Sequence, residues 1–273
     1  MNNKYSSIIG LNPSKGARSP KLWNKAYIKN KSELRMNCID IDNEMLLQSK
    51  LKELDEDQNF LGGCIAYPYK ESVAKYLGPQ RIDSETRPIK SVNCLYRSDQ
   101  GYLVGTNTDG FASLDSFSSL INSYQLNSIL IAGLGGAGKA VTSFVSKYYL
   151  KYNVKVNAIS RENNKDFCTS INVNWYSWER MESLIDKCDA FINCTSLGSD
   201  KAPEESPLSN IQVRDSSIKF IYDIIYNPSP TKLLSYAIDS NIKCKDGLEM
   251  NLLQAAKAFK FVNKVESDIH TIL

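Results

Sequence analysis

The chain of 273 residues contains one histidine, His270, and that scarcity removes several mechanisms at once. A Ser-His-Asp triad, a zinc–histidine alcohol dehydrogenase site and a His-Asp hydride relay each need an imidazole placed within the fold. A histidine so close to the end of the sequence reads as a solvated terminal residue. The cysteines do not fill the gap. There are seven, at 38, 64, 94, 168, 188, 194 and 244, an odd count without a C-x-x-C pair. Disulfide scaffolds and zinc sites want close pairs, so these read as reduced thiols packed as small apolar residues, and no metal is expected. No apolar run is long enough to cross a bilayer, and Met1-Asn-Asn-Lys4 leads into a short strand-like run rather than an apolar leader. The formal charge of +3 is small, with no basic stripe for nucleic acid and no acidic tail. Repeats and low-complexity tracts are absent too. The expectation is a cytoplasmic protein, monomer or homodimer, with neither membrane nor nucleic-acid partners.

What the chain does have is apolar material: 42% hydrophobic and 10% aromatic residues. That is enough for real cores, and the length suits two domains. In the first hundred residues, strands are expected at Ser6–Ile9, Met36–Ile41, Cys64–Tyr67 and Ser91–Tyr96. They alternate with helices at Pro20–Lys31, Asn43–Glu53 and Lys70–Tyr76, with Ser19 as N-cap before Pro20. Such alternation predicts an α/β layer on a largely parallel sheet. Thr108 or Asp109 caps a helix of about fifteen residues, as both are good N-cap types. A second series follows, with strands Ser128–Ala132, Val154–Ile159, Ala190–Asn193 and Lys219–Ile224, then a helix over Met250–Val262. The expected domains are 1–105 for substrate and catalysis, 106–240 for a Rossmann-type nucleotide unit, and 241–273 as helices packing back on the first.

The most specific local signal is Ser128-Ile-Leu-Ile-Ala-Gly-Leu-Gly-Gly-Ala-Gly138, a strand, a turn and the start of a helix. Gly133, Gly135 and Gly138 fall on G-x-G-x-x-G. The first makes the tight turn, the second lets backbone approach a pyrophosphate, and the third lets helix and strand lie close. The next strand should end at the adenosine ribose, where NAD sites place an acid. Here it ends in Ser160-Arg161, and an arginine suits a 2′-phosphate. NADP is therefore expected over NAD, although Glu162 follows and would repel the phosphate.

Three polar clusters break the apolar spacing after strand-like runs: Tyr67-Pro-Tyr-Lys-Glu71, Ser91-Val-Asn93 and Thr106-Asn-Thr-Asp-Gly110. Without an available histidine, Lys70 and Asp109 are the best acid–base pair for moving the proton of an alcohol while hydride is transferred. From spacing alone the plainer reading, a solvated Lys70 and a helix-capping Asp109, stands ahead.

Taken together, these segments resemble the shikimate dehydrogenase family over nearly the whole chain, with the motifs in the family's order. Asn12-Pro13 with Arg18-Ser-Pro20 looks like its N-terminal carboxylate-binding loop, which would put Ser19 on substrate. Gly62 to Lys70 is similar to the strand leading to a catalytic lysine. Ser91-Val-Asn93 resembles a segment supplying a substrate asparagine, and Thr106 to Gly110 a catalytic aspartate motif. Gly133-Leu-Gly-Gly-Ala137 resembles the diphosphate loop, adding Gly136 and Ala137 to its contacts, and Ser160-Arg161 the 2′-phosphate clamp. Asn193-Cys-Thr-Ser196 looks like a turn beside the cofactor, including Thr195. Tyr222-Asp-Ile-Ile-Tyr-Asn-Pro228 implies Ile224 on cofactor and Tyr226 on substrate. Asp246-Gly-Leu-Glu-Met250 through Gln254 implies Gly247 and Met250 near nicotinamide and Gln254 on substrate. The resemblance implies two α/β domains and an NADP-dependent enzyme interconverting a cyclic hydroxy acid and its ketone. Which of Lys70 and Asp109 carries the proton stays open.

The resemblance is incomplete in the carboxylate loop. Where the family has two serines around one residue, this chain has Ala17 and Ser19, and a family histidine is replaced by Gly16. Before Pro68, Cys64, Ile65 and Ala66 stand where the family has asparagine, valine and threonine. Two hydroxyl donors to substrate are missing, each worth about 0.5–3 kcal/mol depending on the charge it faces. Arg18 or Lys15 could pair with a carboxylate instead. The expected substrate is shikimate or a relative such as quinate or an amino-substituted shikimate. A non-catalytic NADPH or metabolite sensor on the same fold is the alternative; loss of Lys70 or Asp109 would mark it, and both are present. A short-chain dehydrogenase would need Tyr-x-x-x-Lys after the glycine turn, and Tyr27 to Lys31 lies far upstream.

Overall fold

In the computed structural model, residues 4–265 are described, so His270 lies outside the described residues. The chain divides into two compact units: 1–108 with 252–273, and 109–251. The first unit holds β1 (Tyr5–Gly10), α1 (Ser19–Lys29), β2 (Met36–Asp40), α2 (Glu44–Glu56), β3 (Phe60–Ile65), α3 (Lys70–Leu77), β4 (Cys94–Arg97) and β5 (Leu103–Thr106). Its five-stranded sheet runs in the order β2-β1-β3-β4-β5. β1 pairs in parallel with β2 and β3, while β3–β4 and β4–β5 are antiparallel. The expectation of a largely parallel sheet is corrected here. β4 and β5 are joined by a tight connection, closed by Ser98 N donating to Tyr102 O at 2.9 Å, and only an antiparallel pair can be closed so shortly.

Other expectations shift locally. Strand β3 was expected at Cys64–Tyr67 but spans Phe60–Ile65, with the Gly62-Gly63 pair inside it. Gly62 has φ of 131°, and a Cβ there would stand 2.1 Å from the carbonyl oxygen of Leu95; at Gly63 it would stand 1.8 Å from that of Ser7. Both neighbouring strands approach more closely than any side chain permits. Ser19 is not an N-cap: it is the first residue of α1, after Arg18, whose side chain makes no capping bond. Ser91–Asn93 precede β4 as irregular chain.

Two apolar clusters stabilise this unit. One joins Leu47, Leu51 and Leu54 of α2 to Phe60, Ile65 and Leu95. The other joins Trp23 and Tyr27 of α1 to Ala258, Phe259 and Val262 of the last helix. Trp23 donates through Nε1 to the carbonyl of Ala255 at 3.1 Å, and its ring meets Phe259 edge-on at 5.2 Å.

The second unit begins within α4 (Thr108–Ile121) and continues through β6 (Ser128–Ala132), α5 (Gly136–Tyr149), β7 (Lys155–Ser160), α6 (Lys165–Ser170), β8 (Asn174–Ser177), α7 (Met181–Ile185) and β9 (Ala190–Asn193). Then come α8 (Asn210–Asp215), β10 (Phe220–Asp223), α9 (Lys232–Asp239), β11 (Lys243–Lys245) and α10 (Leu248–Asn263). Thr108 and Asp109, expected as a cap, are the first two helical residues of α4. The six strands are ordered β11-β10-β9-β6-β7-β8, and every pairing is parallel. Counted from β6, that is the doubly wound order 3-2-1-4-5-6, which reverses direction between β6 and β9. The strands are near-continuous apolar runs, as a sheet buried on both faces requires.

Candidate active site

At the β6–β9 switch point an open parallel sheet leaves a crevice beyond its strand ends. Ala132 pairs with Asn193 there, so the glycine turn and the Asn193–Ser196 turn emerge side by side. Gly133 takes φ of 94°, and a Cβ on it would meet the Cys194 backbone at 2.8 Å. At Gly138 a Cβ would stand 2.1 Å from the Gly133 carbonyl oxygen, so helix and turn touch backbone to backbone. Gly135 differs: a Cβ there would meet nothing within 4 Å. Two glycines are demanded by the fold and the third faces open space at the start of α5, beside Gly136 and Ala137. A helix N-terminus with open space before it is what a diphosphate needs, so the donor set fits a dinucleotide.

The 2′-phosphate end is only partly as expected. Ser160 is buried, and its hydroxyl donates to Glu162 O at 2.6 Å while accepting from Trp175 Nε1 at 2.9 Å and Asn164 Nδ2 at 3.3 Å. One donor and two acceptor positions are then all occupied, leaving no capacity for a ligand. Ser160 braces the loop; Arg161, exposed at its start, is the residue left to meet a phosphate.

Asp223, at the end of β10, was not among the expected site residues, yet it organises this side of the sheet. Its side chain is fully buried and accepts from Thr231 Oγ1 at 2.7 Å, Asn193 Nδ2 at 3.0 Å and Ile225 N at 3.1 Å. Asn193 in turn accepts from Thr195 N at 3.0 Å and Thr195 Oγ1 at 2.7 Å. One carboxylate thus ties together the turns bearing Thr195 and Ile224. Burial pushes its pKa up to about 6, partly offset by these hydrogen bonds. An aspartate closing an apolar strand was the available signal. Gly247 packs against Ile224, where a Cβ would stand 1.9 Å from the carbonyl oxygen, and Met250 is buried one turn further along. Tyr226 is part-exposed in the same unit.

In the first unit, Lys70 opens α3 and its carbonyl accepts from Val92 N at 2.9 Å, fixing it to the Ser91–Asn93 segment. Asn93 is buried and accepts from Thr108 N at 2.7 Å while donating to Thr108 Oγ1 at 3.0 Å and Gln254 Oε1 at 3.5 Å. Thr108 Oγ1 closes the ring by donating to Gln254 O at 3.1 Å. Asn93, Gln254 and the backbone of Lys70 are therefore gathered at one end of the sheet, with Asp109 the residue after Thr108. Ser19 is buried on α1 outside that network. Ala17 and Ala66 both pack against the apolar cluster containing Ile8, Trp23 and Cys64. Among the described residues no group of acidic, histidine or cysteine side chains could hold a metal, and no helix is long and apolar enough to cross a membrane.

A doubly wound sheet with a glycine turn at its switch point, coupled in sequence to a second α/β unit carrying a lysine and a polar amide network, defines a two-unit Rossmann-type oxidoreductase. Residues 8–95 match the shikimate dehydrogenase substrate binding domain. The shikimate dehydrogenase (NADP(+)) of Alkaliphilus oremlandii is 30% identical, over 98% of this chain and 94% of that protein. A crystal structure of shikimate dehydrogenase in complex with NADP+ superposes with a TM-score of 0.82 at 26% identity, covering 99% of this chain and 93% of the other. Quinate dehydrogenase from Corynebacterium glutamicum, solved with NAD, shares the fold at a TM-score of 0.84 and 21% identity, over 99% and 97% of the two chains. This chain belongs to the shikimate dehydrogenase family.

Proposed function

We propose that this protein is an NADP-dependent oxidoreductase that interconverts a cyclic hydroxy acid and its ketone: shikimate and 3-dehydroshikimate, or quinate or an amino-substituted relative. The observation that carries this reading is the Asn93–Thr108–Gln254 network, which is followed in sequence by Asp109 and preceded by Val92, whose N–H donates to the carbonyl of Lys70. Bound at the glycine turn, NADP supplies or accepts the hydride. Gly135, Gly136, Ala137 and Arg161 hold its phosphates, Gly133 and Gly138 shape the turn, and Thr195, Ile224, Gly247 and Met250 line its path. Asn93, Gln254, Tyr226 and Ser19 orient the ring. In reduction, Lys70 or Asp109 delivers the proton to the oxygen that gains charge as hydride arrives, and the two groups act as a pair. The protein works in the cytoplasm as a monomer or homodimer.

The chain departs from the family pattern where the substrate carboxylate would be held. Ala17 and Ala66, partly buried beside an apolar cluster, carry no hydroxyl where the family has serine and threonine, so that end of the ring would meet fewer donors. The test follows NADPH formation from NADP+ with shikimate, quinate and amino-substituted ring acids, in wild type and in Ala17→Ser. Turnover of at least one ring acid is expected. For shikimate, Ala17→Ser should lower KM about tenfold, the value of one hydrogen bond to a charged group. An unchanged KM would remove the altered-substrate reading, and no turnover of any acid would remove the enzyme reading.

A further inference from the structure

In the second unit, a pocket of about 350 Å³ opens between the C-terminal ends of α4 and α5 and the loops entering β6 and β7. The glycine turn leaves the other end of β6, so the two places lie at opposite ends of the same strand. Four tyrosines, Tyr124, Tyr148, Tyr149 and Tyr152, share the lining with Asn122 and Gln125, and no charged side chain lines it. Two of the rings are fixed. Tyr149 packs edge-on to Phe117 at 5.5 Å with its hydroxyl 3.3 Å from Ser118 Oγ. Tyr124 meets Phe220 edge-on at 5.1 Å, with Lys219 Nζ 5.3 Å from its centroid and that lysine held by Asp189 at 2.6 Å. The other two, Tyr148 and Tyr152, stand 5.3 Å apart at 53° and are 40% and 62% exposed.

The chemistry of this lining selects a ligand class. Exposed aromatic faces set at an angle favour a planar aromatic guest by stacking and edge contacts. Two helix C-termini converge on the pocket, where the carbonyls of Ser118, Ile121, Ser146 and Tyr149 already accept from the backbone N–H groups of Asn122, Tyr124, Leu150 and Val154, so what reaches a guest is the negative end of each helix dipole. A carboxylate would meet those ends without a lining base to pair with. An ammonium would find no lining acid to pair with. We infer that this pocket is a second small-molecule site, for a neutral planar aromatic ring.

Indole is a suitable probe and benzoate its counter-probe, each titrated by saturation-transfer NMR against the full chain with and without saturating NADP+. Indole should bind with a Kd on the order of 0.1–1 mM, a reasonable affinity for so few atoms. NADP+ should leave that Kd unchanged, and benzoate should give no transfer. Replacing both exposed rings, Tyr148→Ala with Tyr152→Ala, should weaken indole at least about tenfold, since each stacked ring contributes on the order of a tenfold factor. Ser118→Leu, which fills the pocket from α4 and keeps all four tyrosines, should do the same. Displacement of indole by NADP+, equal binding of benzoate, or unchanged binding in Ser118→Leu would each overturn the assignment.

Discussion

Asp223 shows how one residue sets the behaviour of two loops. Its folded-state pKa, about 6, lies above the ordinary 3.8, so between these values the folded chain holds more proton than the unfolded one. Stability is then highest below the unfolded value and is lost as pH rises through about 6, by roughly 3 kcal/mol in all. Asp223→Asn keeps acceptors for Asn193 and Ile225 and removes the titration. The urea midpoint of this variant should lack the fall between pH 4 and pH 7 that wild type shows; parallel pH profiles would refute the assignment. Asp223→Ala, by contrast, strands three buried donors and should cost about 1–3 kcal/mol for each. Arg161 makes the complementary case at the surface. Arg161→Ala should raise KM for NADP+ about tenfold or more and leave KM for NAD+ unchanged, because only the 2′-phosphate distinguishes the two. The glycines of the turn were legible because their geometry is local. The role of Ser160 was not, since its partner Trp175 comes from β8, a strand the sequence pattern did not reveal.

At the scale of elements, legibility followed burial. β6 and β9 were read to the residue because central parallel strands are unbroken apolar runs bounded by polar turns. β8 and β11 are edge strands of four and three residues, and β5 has four with a glycine inside, too little pattern to detect. What holds such elements is often a long-range contact. Arg97 on β4 donates to the carbonyls of Leu54, Asp55, Asp57, Phe60 and Gly101 at 2.7–3.1 Å, joining the end of α2 to β3 and to the turn before β5. Burial depresses its pKa, an effect partly offset by Asp55 and Asp57. Lysine cannot span five carbonyls with one ammonium. Both Arg97→Lys and Arg97→Ala should therefore destabilise the first unit, the alanine variant by about 3 kcal/mol or more, as read from urea denaturation. A loss below about 1 kcal/mol would show that these carbonyls find other donors.

For the whole molecule, the two-unit α/β architecture was legible in the order of strands, helices and motifs. The antiparallel half of the first sheet was not, because pairing direction depends on connections and not on strand composition. The candidate site was legible in the same uneven way: the motifs pointed to Lys70, Asn93 and Gln254, of which Asn93 and Gln254 share one hydrogen-bonded network, while Asp223 and the saturation of Ser160 emerged only from packing. The chain is expected to transfer hydride between a ring acid and NADP, with Lys70 and Asp109 acting as a pair in the proton step. The most direct measurement is the steady-state rate of NADPH formation with the best ring acid, in wild type and Lys70→Ala, beside the Kd of each for NADP+. Turnover is expected in wild type, with a kcat lowered by about 10²–10⁴ in the variant and the same Kd. Tight NADP+ binding by a wild-type protein that turns over no ring acid, or a Lys70→Ala variant as fast as wild type, would contradict it.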